Sequence, residues 1–149
     1  MDVAEAAYLA GLMDGEGCFR IWKAPNKISP AGFQYRCCAE ITMCDYDTIH
    51  FVSKIADRKM AKSRTLPSGR IAYKVIWYNH NAAAMIRAIL PYLQGKKEQA
   101  RLCLLFDDEV SPGKGRKMTP ELMIEAEKLV HHIQALKKPN SSSLLIAQS

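Results

Sequence analysis

The segment at the start of the chain constrains the fold most. Residues 3–14 read VAEAAYLAGLMD, which is apolar on nearly every side of a helix. A helix of this kind must be buried on more than one side, against its own domain and against something else. Asp2 followed three residues later by Glu5 can form a capping box, so the pair predicts where this helix begins.

One face of this helix consists of small residues. Ala7, Gly11 and Gly15 recur at intervals of four residues, which places them on one side of a helix. Because this face has almost no side chains, another backbone can approach it closely, as small-residue helix faces do in membranes. We predict that these three residues form a dimer interface.

The same helix ends in two acidic residues set between glycines, Asp14-Gly15-Glu16-Gly17. Carboxylates at a helix C-terminus lie against the negative end of the helix dipole, which is unfavourable. If two copies pack through the small-residue face, their Glu16 carboxylates converge near the twofold axis. Like charges so close need a cation between them, and oxygen ligands suit Mg²⁺. A magnesium site at Glu16 is therefore expected.

The rest of the chain alternates strand pairs with helices. Residues 18–24, 33–43, 59–65 and 70–78 have strand patterns, and turn residues separate the members of each pair. Helices are predicted at 45–57, 81–90, 97–109 and 119–137. The order is αββαββα with additional helices, an α+β class. We expect one domain over residues 1–138 and a loose C-terminal tail over 139–149.

Charge is unevenly distributed along the sequence. The net charge is +6, residues 1–16 contain four acidic residues and no Lys or Arg, and residues 17–79 contain eleven Lys and Arg against four acidic residues. A basic middle segment predicts a polyanionic partner, with nucleic acid favoured over membrane because no basic amphipathic helix is present.

The cysteines and the hydropathy of the sequence indicate the cellular compartment in which the protein is expected. The five cysteines form no Cys-x-x-Cys pair, and no His lies at zinc-ligand spacing from them. Buried, reduced thiols explain them better than disulfides or a metal site. With neither a secretory signal pattern nor an apolar run long enough to span a bilayer, we expect an intracellular protein without a membrane partner, in a bacterial or phage cytoplasm or in an organelle.

The end of the first helix carries a resemblance to a known family. Residues 9–17, LAGLMDGEG, resemble the LAGLIDADG motif of the homing endonucleases, with six of nine positions identical. The order of predicted elements agrees over most of residues 3–138. Only one copy of the motif is present, so the chain resembles the single-motif members that act as homodimers.

The resemblance implies a fold and a set of site residues. The fold would be αββαββα, with an antiparallel four-stranded saddle sheet packed against helices and lying in the DNA major groove. Glu16 matches the metal-binding acid of the motif, with a backbone carbonyl near Gly15 as a further ligand. Asp14 matches the earlier acid of the catalytic segment and would support the helix end. Lys96, in the segment LQGKKEQA, falls on the family's peripheral active-site lysine.

The activity implied is that of a site-specific, intron-encoded DNA endonuclease. Two copies would make a double-strand break in double-stranded DNA at a long pseudo-palindromic target. The cofactor would be Mg²⁺, with Mn²⁺ as a substitute, whereas Ca²⁺ would support binding without cleavage.

Strand alternation predicts which side chains read the DNA. Arg and Gln can bind guanine and adenine edges respectively, and Glu can accept from cytosine. Two lysines near the first turn would contact phosphates instead. The predicted DNA-binding residues are Arg20, Trp22, Gln34, Arg36, Glu40, Lys62, Arg64, Arg70 and Lys74, together with Lys23 and Lys27 near the turn.

One departure from the family pattern keeps alternatives open. Where single-motif members often have a Gln that orients water, the matching residue is Met43, so Glu40, another group or bulk solvent would have to act. The alternatives are an RNA-splicing maturase, for which intron RNA would be the partner, and a catalytically inactive DNA-binding regulator.

Overall fold

The computed structural model describes residues 1–138. The element order is the expected αββαββα followed by further helices. The strands are β1 Gly17–Pro25, β2 Phe33–Met43, β3 Ala61–Thr65 and β4 Ile71–Tyr78. The helices are α1 Val3–Glu16, α2 Tyr46–Ile55, α3 Asn79–Ile89, α4 Lys97–Leu105 and α5 Pro120–Lys137. The tail predicted over residues 139–149 lies outside the described residues.

The four strands form one antiparallel sheet in the order β1-β2-β4-β3. Alternate strand residues belong to a continuous hydrophobic core with the helices, among them Phe19, Ile41 and Val75, which are fully buried. The residues between them face the other way and lie outside that core. One face of the sheet is therefore covered by helices, and the opposite face is open. Both the α+β class and the four-stranded antiparallel sheet are confirmed.

The capping box at the start of α1 forms as the sequence predicted. The backbone N–H of Glu5 donates to Asp2 Oδ1 at 2.8 Å, and the backbone N–H of Asp2 donates to Glu5 Oε2 at 2.9 Å. Two amides that the helix itself cannot satisfy thereby gain acceptors. The helix then continues to Glu16, within the segment where the sequence predicted its end, and β1 begins at the next residue.

The largest difference in helix bounds lies in the fourth helix. An α-helix over 97–109 was expected, but α4 ends at Leu105, and a single wider π-type turn covers Phe106–Val110. Phe106 and Val110 are both buried. Their apolar spacing fits either kind of turn, so the sequence pattern does not distinguish between them.

Two further properties concern the class of protein. Within residues 1–138, no helix has the length and apolar character needed to cross a membrane. All five cysteines are free thiols, and Cys37, Cys38 and Cys103 are buried. The interpretation of the cysteines as unpaired thiols is therefore confirmed.

Candidate active site and nucleic-acid interface

Glu16 is the last residue of α1 and is exposed at the point where the helix turns directly into β1. The turn depends on Gly17, whose N–H donates to the Met13 carbonyl. A Cβ on Gly17 would lie 2.6 Å from Met13 Sδ, so any side chain there would displace the fully buried Met13. The glycine thus fixes where the Glu16 carboxylate is presented.

Lys96 lies at the end of the motif helix, although it is 80 residues from Glu16 in sequence. Its ammonium donates to the carbonyl oxygens of Met13 at 3.1 Å and Gly17 at 2.5 Å. A cation at this position offsets the negative end of the helix dipole. An ammonium has three donors, so one N–H remains for another acceptor beside Glu16.

Asp14 fixes the loop that carries this lysine. Its carboxylate accepts hydrogen bonds from the backbone N–H of Gln94 at 2.8 Å and of Lys96 at 3.0 Å. Both carboxylate oxygens are therefore engaged with one short segment of backbone. Asp14 thus positions the segment that carries Lys96, and its expected support of the helix end stays a prediction.

The donor atoms available near Glu16 suit a hard divalent cation. Glu16 offers an exposed carboxylate, and the last carbonyls of a helix generally lack partners within it, which applies to the segment around Gly15. Within residues 1–138 of one chain, no group of three His, Cys, Asp or Glu side chains is arranged to hold a metal ion. The metal site expected at Glu16 stays a prediction.

The small-residue face of α1 is uncovered. Ala7, Gly11 and Gly15 are all exposed, and a Cβ built on either glycine has no neighbouring atom within 4 Å. Next to them, Val3 is 68% exposed and Tyr8 is 45% exposed. The buried face of α1, including Leu9 and Met13, packs in the core. One face of α1 thus packs against its own domain, and the opposite face leaves a strip of small and apolar residues exposed.

The open face of the sheet gathers most of the predicted DNA-binding side chains. Cross-strand partners share a face, and Trp22 lies opposite Arg36, Glu40 opposite Cys18, Lys74 opposite Thr42 and Arg64 opposite Ala72. Thr42 also belongs to this face. It was not among the predicted residues, although the alternation that includes Glu40 extends to it. On this face lie Arg20, Trp22, Gln34, Arg36, Glu40, Arg64 and Lys74. Arg70 lies in the β3–β4 turn, just before β4 begins, so the strand register does not assign it to either face.

Several of these side chains hold one another in place. Arg20 Nη2 donates to Glu40 Oε2 at 3.3 Å, and the Arg20 guanidinium lies 5.5 Å from the centre of the Trp22 ring. The Gln34 amide lies between the side chains of Asn26 and Arg36. Asn26 is in the β1–β2 turn, where Lys27 is exposed. The open face is therefore an ordered array of polar groups.

Two of the predicted DNA-binding lysines are not on this face. Lys23 forms an ion pair with Glu127 of α5 and lies 5.0 Å from the centre of the Phe33 ring, on the helix-covered side. For Lys62, the prediction of a face shared with Arg64 is wrong. A register shift between the two residues places Lys62 opposite Tyr73 and so reverses its direction.

Met43 closes β2 and packs against the hydrophobic core as a partly buried residue. Its side chain lies on the same sheet face as Ile41 and faces Tyr73 across the β2–β4 pair. The position at which related sequences were expected to orient water is therefore apolar here and directed toward packing.

The comparisons with known proteins bear on the fold. No family model and no curated protein matches the sequence. Among solved structures, the homing endonuclease I-CvuI in complex with its target matches with a TM-score of 0.75 and 20% identity, over 93% of this chain and 85% of that chain. The archaeal intron-encoded homing endonuclease I-Vdi141I, complexed with DNA, matches with a TM-score of 0.74 and 12% identity, over 92% of this chain and 86% of that chain.

A third match is to a protein of which this chain covers less than half. The LAGLIDADG meganuclease I-AabMI, bound to uncleaved DNA, matches with a TM-score of 0.64 and 17% identity, over 84% of this chain but 45% of its own. The present chain thus corresponds to about half of that protein. The chain has the fold of the LAGLIDADG homing endonucleases.

Proposed function

We propose that this protein is a site-specific DNA endonuclease that acts as a homodimer, requires Mg²⁺ and makes a double-strand break at a pseudo-palindromic target. The observation that carries the proposal is the grouping of Glu16, the Lys96 ammonium and the uncovered small-residue face of α1 at one end of an open, basic sheet face. The DNA-bound structures with the same fold support it.

Dimerisation follows from the shape of α1. The strip formed by Ala7, Gly11 and Gly15 permits two helix backbones to approach closely. A twofold contact through this strip is self-complementary and brings the two copies of Glu16 to the same region. Two copies together supply the second carboxylate that one chain lacks.

Each chain contributes definite groups to the reaction. Glu16, with a backbone carbonyl near Gly15, would hold the metal, which when bound activates water and stabilises the leaving oxygen. The free N–H of Lys96 would donate to a phosphate oxygen and stabilise the charge that develops there. Asp14 keeps Lys96 in place through the loop backbone.

Target binding would use the open sheet face in the major groove. Its arginines and lysines attract the phosphate backbone, while Arg, Gln and Glu side chains match base edges. Lys27 is exposed at the first turn, where it could contact a phosphate. For Lys23, DNA contact would require exchange of its Glu127 partner.

The test is cleavage of a randomised double-stranded DNA library with Mg²⁺, Mn²⁺ or Ca²⁺. We expect enrichment of one cut pseudo-palindrome of roughly 20 base pairs with Mg²⁺ or Mn²⁺ and binding without cleavage with Ca²⁺, because interfaces of this kind span two half-sites. Cleavage without a metal, or the absence of any enriched sequence, would contradict the proposal.

The packing of Met43 favours one second candidate, a DNA-binding regulator without catalytic activity. Met43 offers no polar group to orient water and is directed into the core. The same library distinguishes the two functions. A regulator would enrich a bound sequence that stays intact with Mg²⁺ and Mn²⁺.

A further inference from the structure

An ion pair lies on the open sheet face, near the start of β1, where this strand follows α1. Arg20 of β1 and Glu40 of β2 are in diagonal register, and their side chains meet at 3.3 Å while remaining 39% and 25% exposed. Each side chain can therefore contact a ligand on the open face while the ion pair stays formed.

The surroundings of Arg20 fix the direction of its guanidinium. The Trp22 ring lies beside it at 5.5 Å, and the fully buried Cys38 is directly opposite it across the β1–β2 pair. Arg20 Nε is buried and has no hydrogen-bond partner among the described residues. The inner edge of the guanidinium is thus turned into the protein, while the side chain as a whole stays 39% exposed.

A guanidinium beside a carboxylate matches the major-groove edge of one base pair. Guanine presents two acceptors, O6 and N7, that fit an arginine, and the paired cytosine presents the N4 amino donor that fits a carboxylate. Neither orientation of an A·T pair offers two adjacent acceptors to arginine. Resting on the proposed DNA-cleaving function, we propose that Arg20 and Glu40 act as one unit that reads a G·C base pair in each half-site.

The register also places this base pair. Cys18 lies opposite Glu40, so along β1 the pair lies two to four residues from Glu16. At about 3.3 Å per strand residue and about 3.4 Å per base pair, this corresponds to the innermost few base pairs that the sheet contacts. Gln34 and Arg36 lie farther out along the same strands.

The experiment compares base preference in the recovered targets of wild type, Arg20→Gln and Glu40→Gln, each selected from the randomised library by binding with Ca²⁺. Wild type should show G·C at one inner position of each half-site. Arg20→Gln should shift that position toward A·T, because a glutamine amide pairs with adenine. Glu40→Gln should reduce the G·C preference there by roughly tenfold.

Arg87→Gln is the matched control. Arg87 also forms a surface ion pair, with Asp108, but lies on α3 away from the open face. It should leave the preference at the inner position unchanged, and circular dichroism should show that all variants are folded. An inner position that keeps its G·C preference in Arg20→Gln overturns this inference alone. If the wild-type protein enriches no sequence at all, the result contradicts the proposed function itself, and with it this inference.

Discussion

The Lys96 ammonium donates a 2.5 Å hydrogen bond to the carbonyl oxygen of Gly17, the first residue after the motif helix. This contact joins two segments that are 79 residues apart and brings a positive charge to a helix end that has no basic residue in its own last turn. The stability of the helix end and the placement of the candidate catalytic lysine therefore depend on the same side chain.

Replacing Lys96 by Met should lower both stability and cleavage. Loss of the cation at the helix C-terminus should reduce the free energy of unfolding by about 1 kcal/mol. Urea unfolding measures this, and cleavage of the selected target measures the catalytic effect. Lys97→Met is the matched control, since the neighbouring lysine makes neither of the two carbonyl contacts. Equal stability of the two variants would contradict the assigned role.

Replacing Asp14 by Ala should loosen the loop that carries Lys96. The backbone N–H groups of Gln94 and Lys96 would lose their acceptors, at a cost of about 2 kcal/mol. Asp14→Asn retains one acceptor oxygen and should cost less. Amide hydrogen exchange at Gln94 and Lys96 reports the effect, and unchanged protection in Asp14→Ala would contradict it. Because Asp14 is a positioning residue, both variants should still bind Mg²⁺.

Replacing Gly11 by Leu should prevent dimerisation without preventing the chain from folding. Within one chain, nothing lies within 4 Å of a Cβ at Gly11, and leucine favours a helix more than glycine does by roughly 0.8 kcal/mol. The monomer should therefore fold, while the larger side chain prevents two α1 helices from approaching. Sedimentation velocity should show a monomer. Ala135→Leu, at an exposed position of α5, should remain dimeric, and a dimeric Gly11→Leu would exclude the proposed interface.

The buried thiols should resist alkylation in the native protein. Burial raises the pKa of the Cys38 thiol to about 11, an effect that the neighbouring Arg20 only partly opposes. The pKa of the Cys103 thiol is also raised well above its ordinary value, first by a side-chain hydrogen bond with Cys37 and then by burial. Because the thiolate is the reactive form, iodoacetamide at pH 8 should label the partly exposed Cys18 and Cys44 first. Mass spectrometry showing early labelling of Cys38 would contradict this burial.

Sequence patterns predicted those parts of the fold that depend only on residues close together in the chain. The capping box of Asp2 and Glu5 and the alternation along β2 both follow from spacings of two to four residues. The sequence also predicted the exposed strip on α1, since Ala7, Gly11 and Gly15 share a helix face. The motif resemblance then supplied roles for Glu16 and Lys96, which remain proposals.

Contacts between distant segments could not be predicted in this way. The pairing of Lys23 with Glu127 joins β1 to α5, and no local pattern indicates it. The reversed direction of Lys62 results from one unpaired residue in β3, whose strand pattern is too short to reveal a register shift. The hydrogen bond from the backbone N–H of Gln94 to the Asp14 carboxylate joins residues that are 80 positions apart in sequence.

The most direct test of the account compares wild type and Glu16→Gln on the selected target, with binding measured in Ca²⁺ and cleavage measured in Mg²⁺. Glutamine keeps the shape of the side chain but removes the charge that would hold the metal. We expect unchanged affinity to within a few fold and a loss of cleavage of at least roughly a hundredfold. Cleavage by Glu16→Gln at the wild-type rate would contradict the assignment of the catalytic site.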